Sequence, residues 1–162
     1  MSRTLNPLVA ATILTVLFAT VCFAQTFPLP ARTAKAISSA DFVRQIEPLA
    51  LADREQAIVT EILRGNVPAS FTNLCAVSLS NVTKGRTNNA TIFVTRDYLG
   101  VGANEDFLLM PLTPATAQRI ADELGCTLPT RKMVDAIYAA AEIKLPPQPI
   151  PPSPAMTTVP VF

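Results

Sequence analysis

The chain has 162 residues, with thirteen Lys and Arg against twelve Asp and Glu, three Cys, no His and no Trp. The near balance of charge, with no basic run, lacks the clustered cations that phosphate neutralisation requires, so nucleic acid is not an expected partner. Without His, the chain holds neither a Ser-His-Asp nor a Cys-His nucleophile pair, nor the common zinc constellations.

Met1 to Asn6 carries one cation, Arg3. Leu8 to Phe23 is almost wholly apolar, and Cys22-Phe23-Ala24 then places small residues at the two positions a signal peptidase reads. That order predicts a cleaved secretory signal peptide over 1–24. A retained anchor competes with this reading, but an apolar run of roughly 17 residues is marginal against the roughly 20 that a span needs. A lipoprotein site at Cys22 is disfavoured by the bulk of Val21. Cleavage removes Arg3 as the only charge and leaves twelve of each sign. The expected location is secreted or periplasmic, with no membrane contact after cleavage.

Residues 25–37 hold Pro28 and Pro30 and few apolar anchors, and are expected to form an extended, poorly ordered leader. Ser38-Ser39 can cap a helix from Ala40 to Glu47, ended by Pro48. A second helix, capped near Ala52 or Asp53, runs to Arg64. Ile58, Val59, Ile62 and Leu63 form its apolar face, Arg54, Glu55 and Glu61 face water, and Gly65 stops it. Phe71 to Ser80 alternates, with Cys75, Val77 and Leu79 on one face, as a strand does. Asn81 to Asn89 reads as a hairpin loop, Ala90 to Thr95 as the partner strand, Asp97 to Asn104 as a glycine turn, and Phe107 to Met110 as a third short strand. Three such strands suggest an antiparallel meander.

Two further helices follow. Thr113 caps the first, Pro114 occupies its N1 position and Gly125 ends it; Thr130 caps the second after Pro129. Ala117, Ile120, Ala121 and Leu124 form one stripe at i, i+3, i+4 and i+7, and Val134, Ile137, Tyr138 and Ala141 repeat the spacing. Both stripes are read as core, packed on the sheet. The expected fold is therefore α+β: a small antiparallel sheet of about three strands, two C-terminal helices packed on it, and N-terminal helices, in one domain over 38–145. Seven of the fifteen prolines lie between Pro146 and Pro160. Such a run favours polyproline II, so residues 146–162 are read as a linker or tail of a truncated chain.

Cys75 and Cys126 are the candidate disulfide pair of the mature chain, since export exposes them to an oxidising compartment. A bridge would enclose about 50 residues and contribute roughly 4 kcal/mol in the chain-entropy model. Two buried thiols are the alternative. Asp97, Asn104, Glu105 and Asp106 flank a glycine turn, where oxygen ligands could hold calcium or a carboxylate pair could serve glycoside hydrolysis. Carboxylates beside turns more commonly cap backbone N–H groups, so no metal, cofactor or catalytic residue is assigned. Cys126, ahead of a helix start and near Arg131 and Lys132, is the one candidate for a reactive thiol. Asn81-Val82-Thr83 and Asn89-Ala90-Thr91 are glycosylation triplets that matter only in a eukaryotic secretory pathway.

Several segments resemble a family of uncharacterised exported bacterial proteins: Asp53-Arg54-Glu55-Gln56-Ala57-Ile58, Gly65-Asn66-Val67-Pro68, Asp97-Tyr98-Leu99 and Met110-Pro111-Leu112-Thr113. Ala117-Gln118-Arg119-Ile120-Ala121-Asp122, Leu124-Gly125-Cys126 and Leu128-Pro129-Thr130-Arg131-Lys132-Met133-Val134-Asp135 belong to the same likeness. The chain is similar to the N-terminal part of those proteins, which run on into a histidine-containing half. The resemblance implies export and a longer protein, and carries no activity. Together these readings favour a non-catalytic scaffold or binding module of a longer cell-envelope protein, with an unknown protein or envelope component as partner. The competing reading is the N-terminal portion of a cell-wall or peptide hydrolase, whose remaining catalytic residues lie beyond Phe162 and which Cys126 or Asp97 joins.

Overall fold

The computed structural model describes residue 27 and residues 29–159, so the signal-peptide reading of 1–24 lies outside the described residues. The class is α+β, as expected. In chain order the elements are α1 (Ser39–Ile46), α2 (Leu51–Leu63), α3 (Ala69–Thr72), β1 (Cys75–Thr83), β2 (Arg86–Val94), β3 (Gly100–Val101), β4 (Leu108–Leu109), α4 (Pro114–Glu123) and α5 (Arg131–Ala140). A 3₁₀ turn follows at Pro154–Thr157.

The helical elements make the core. Ser38 caps α1 by accepting from the Asp41 amide at 3.1 Å and Asp41 in turn pairs with Arg44. This helix buries Phe42 and Ile46. Alongside it, α2 contributes Ile58, Val59 and Ile62, and α4 contributes Ile120 and Leu124; Val67, Phe71, Val101 and Met110 complete the cluster. No side chain caps α2, which starts after Ala50, so Asp53 sits in its first turn rather than at its cap.

The described leader residues make specific contacts. Phe27 stacks on Phe71 with ring centroids 5.1 Å apart, and Leu29 and Ile37 pack against the core. Gly65 makes this approach possible. Its φ is +79°, and a Cβ there would fall on the Pro30 carbonyl oxygen. Glycine adopts that backbone without the steric cost other residues carry. At the other end, the proline-rich stretch from 146 to 153 is exposed and irregular, and then Val159 returns to the core, 4% exposed.

The strands form two separate two-stranded sheets rather than one meander. Cys75 to Thr83 pairs antiparallel with Arg86 to Val94 in unbroken register. The hairpin loop is much shorter than Asn81–Asn89. Lys84 and Gly85 both take positive φ, 50° and 73°, the requirement of a two-residue type I′ turn whose twist matches the strands. The expected start of β1 at Phe71 belongs instead to α3, which buries that ring. Leu108 pairs with Val101 and Leu109 with Gly100, not with the long hairpin. The glycines that resembled a turn permit this: a Cβ at Gly100 would lie 3.0 Å from Phe107, and one at Gly102 would lie 2.8 Å from the Phe107 Cα.

The two C-terminal helices part company. The α4 stripe is buried as expected at Ile120, Ala121 and Leu124. By contrast α5 contains no buried residue, and Val134 and Tyr138 are 48% and 60% exposed. Its half-buried side is Met133, Ala136 and Ile137, a stripe turned by about one position from the predicted one. That side packs on β1, where Val77 is buried. A two-stranded sheet offers one narrow row of side chains, so a helix on it cannot bury a full stripe.

Candidate functional site: the hairpin and its helix

The polar groups nearest the core are committed to holding it together. Glu55 and Arg54, expected to face water, are buried. They lie four residues before Val59 and Ile58, on the same stripe. The Glu55 carboxylate sits at the N-terminus of α4, where it accepts from the Thr113 amide at 2.6 Å, the Thr113 hydroxyl at 3.0 Å and the Thr116 hydroxyl at 2.6 Å. Burial raises its pKa as the largest single effect. The Thr116 hydroxyl, the two Thr113 donors and the Arg54 charge together outweigh that and leave it below the usual glutamate value. An anion at a helix N-terminus is also favoured by the helix dipole. Beside it, the Arg119 guanidinium donates to Gln56 at 2.8 Å, a second tie between α2 and α4.

Asn66, 1% exposed, plays the equivalent part for the leader. Its amide nitrogen donates to the Ile37 carbonyl at 3.1 Å and to Glu61 at 2.8 Å, and its oxygen accepts from Arg32 at 2.8 Å. Glu61 therefore faces this network as well as Arg64. Among the described residues no buried side-chain polar atom lacks a partner. Such satisfied networks are what a buried polar group needs to be tolerated.

The acidic turn resolves into separate caps. Asp97 accepts from the Tyr98 amide at 2.8 Å. Asn104 accepts from the Ala69 amide at 2.7 Å. Asp106 accepts from the Ala103 amide at 2.8 Å and from the Ser39 amide at 3.2 Å, joining the β3–β4 hairpin to the start of α1. Glu105 is exposed. Among the described residues no three His, Cys, Asp or Glu side chains lie together as a metal site would require.

Among the described residues both cysteines, Cys75 and Cys126, are free. Cys75 is half-buried where β1 begins, and Cys126 is exposed on the elbow between α4 and α5. The Cys126 thiol donates to the Leu124 carbonyl at 3.4 Å. Partial burial raises its pKa, the opposite of what an activated nucleophile shows. Asp97 and Cys126 are thus each engaged locally.

What remains is the surface of β1, β2 and α5. Directly opposed residues of an antiparallel pair share a face, so the register places Ala76, Ser78, Ser80 and Val82 with Phe93, Thr91, Asn89 and Thr87 on the side away from Val77. All eight are exposed. A shallow, open depression lined by Ser78, Leu79, Ser80, Asn89, Ala90 and Thr91 crosses the hairpin and contains no titratable group. On the helix, Tyr138 stands out from the surface with Lys144 5.5 Å from its ring centroid. Alternation in the sequence finds these strands but not their exposure, which depends on what packs across them. No described helix is long and apolar enough to cross a membrane.

A scan against protein-family models and searches of curated proteins and of solved structures returned no match to this chain.

Proposed function

We propose that the chain is an exported, non-catalytic scaffold or binding module of a cell-envelope protein, and that its partner surface is the β1–β2 hairpin together with the outer side of α5. The observation that carries this reading is the contrast between committed polar groups and uncommitted apolar ones. Glu55, Asn66 and Asp106 each hold two elements together, while Val134 and Tyr138 stay exposed on α5 and Phe93 stays exposed on the opposite face of the hairpin. Exposed aromatic and aliphatic side chains grouped on one element, as Val134 and Tyr138 are on α5, mark interaction surfaces. Export rests on the charged, apolar and small-residue order of residues 1–24 and on the resemblance to exported bacterial proteins.

The test is site-specific photocrosslinking in the intact cell. A photoreactive residue at Tyr138 or Phe93 is expected to give a discrete adduct, and one at Leu51, exposed on the helical half, is expected to give none. Hydrolysis of cell-wall material by the purified chain, lost on Cys126→Ser, would overturn the reading in favour of an enzyme.

A further inference from the structure

The outer edge of β2 has no neighbour among the described residues. Its sheet contains two strands only, and no backbone hydrogen bond links residues 86–94 to anything but β1. A two-residue type I′ turn closes on a hydrogen-bonded pair, here Thr83 and Arg86, and antiparallel pairs then alternate between bonded and non-bonded. The alternation directs the N–H and C=O groups of Thr87, Asn89, Thr91 and Phe93 outward. Strands with open edges ordinarily carry a charge, a proline or a bulge that blocks pairing with another chain. Between Thr87 and Val94 there is no charge and no proline, and the register runs unbroken from Cys75–Val94 to Thr83–Arg86.

Resting on the proposed binding surface, we infer that the occupant of this edge is a second copy of the chain, paired antiparallel through β2 about a two-fold axis at Ala90. The strand's own sequence suits this occupant, since its open edge carries nothing that blocks self-pairing. In that register Asn89 faces Thr91 of the other copy, Thr87 faces Phe93, and Arg86 faces Val94. Every outward-directed residue meets another outward-directed residue, and no like charges oppose. Ala90 meets itself at the axis, where directly opposed Cβ atoms lie about 4.5–5.5 Å apart. The product is a four-stranded sheet with both copies of α5 on the same face, since the two-fold stands perpendicular to the sheet. A four-stranded sheet also removes the marginal stability of an isolated hairpin.

The experiment uses the 162-residue chain, purified as the cell processes it. Sedimentation velocity is expected to give twice the chain mass, and Thr91→Pro, which removes one outward N–H on an edge strand, is expected to return it to the single-chain mass with its circular dichroism unchanged. In a Cys75→Ala, Cys126→Ser background, Ala90→Cys is expected to form an intermolecular disulfide on mild oxidation. Asn88→Cys is expected to form none, because its two copies would lie about four strand residues apart, roughly 13 Å. If Thr91→Pro unfolds the hairpin, the Ala90→Cys and Asn88→Cys pair still decides. A chain monomeric at all micromolar concentrations, or cross-linking equally through both cysteines, would overturn the inference. Should the chain be monomeric while Tyr138 still captures a different envelope protein, the binding-module reading survives and the self-pairing is wrong.

Discussion

In the helical half, Phe42, Ile46, Ile58, Ile62 and Ile120 are all but sealed from solvent; in β1, β2 and α5, Val77 alone among the described residues is buried. Both halves were written with the same kind of pattern. Helix α4 and helix α5 each begin at a threonine whose hydroxyl accepts from the amide three residues on, and each carries apolar residues at helical spacing. Their fates differ because α4 meets α2, whose side chains fill the space facing it, while α5 meets a sheet one hairpin wide. An apolar stripe states which side of a helix prefers to be covered. Whether it is covered depends on the area another element supplies, and here that area runs out. The half with surplus apolar surface is the one to which the proposed binding role is assigned.

The largest test of this contrast is a matched pair of core truncations. Ile62→Ala removes a fully buried side chain and is expected to cost about 4 kcal/mol, read from urea unfolding. Val77→Ala, the deepest residue of the hairpin, is expected to cost roughly 2 kcal/mol. Its effect on hydrogen exchange should be confined to 75–94 and 131–140. Equal costs spread over the whole chain would mean that the two halves share one core.

Next in size is Glu55→Gln. The amide keeps the volume but removes the charge at the start of α4 and at least one charge-assisted hydrogen bond, an expected loss of roughly 2 kcal/mol at neutral pH. Because the folded pKa of Glu55 is depressed, its contribution is fully present above the unfolded value of about 4.3. It is lost as pH falls through the lower folded value. The native protein should therefore destabilise on acidification in that window, and Glu55→Gln should flatten this part of the profile. An unchanged acid profile in the variant would show that the carboxylate does not hold α4.

The legible parts of the fold were those fixed within a few residues of sequence. Thr113-Pro114, Gly125 and Thr130 punctuate α4 and α5 where the structure does, and the alternation of Cys75, Val77 and Leu79 marks β1. The illegible parts are set by distant partners. Glu55 bonds a residue 58 positions away, and only its place on the stripe of Ile58 and Val59 could have signalled burial. The expected strand Phe107 to Met110 contains β4, while its partner β3 hid behind glycines that also suit a turn. Val159 reaches the core from a stretch whose composition suggests a spacer. For the candidate surface, pattern located the strands, but pattern carries no information on what fails to cover them. The cysteines show the same limit: the expected oxidising compartment offered a pair, and the structure holds Cys75 and Cys126 as free thiols.

Two smaller perturbations sharpen the comparison on α5 itself. Thr130→Ala removes its cap and is expected to cost about 1 kcal/mol, with increased amide exchange limited to α5 and the facing part of β1. A ten-residue helix without buried residues has little else to hold it, so the helix should fray before the core loosens. Val134→Ala should be smaller still. Val134 is about half exposed, and its truncation is expected to change stability by less than about 0.5 kcal/mol, within the scatter of ordinary surface substitutions. That near-zero value has a direction attached to it. If Val134 belongs to a binding surface, its truncation should weaken association while leaving the melting temperature of the isolated chain in place. A structural core position would lose stability first and association only as a consequence. A cost near 2 kcal/mol in the isolated chain would mean that α5 is packed more deeply than its exposure shows, and the surplus apolar surface on which the binding reading depends would no longer exist.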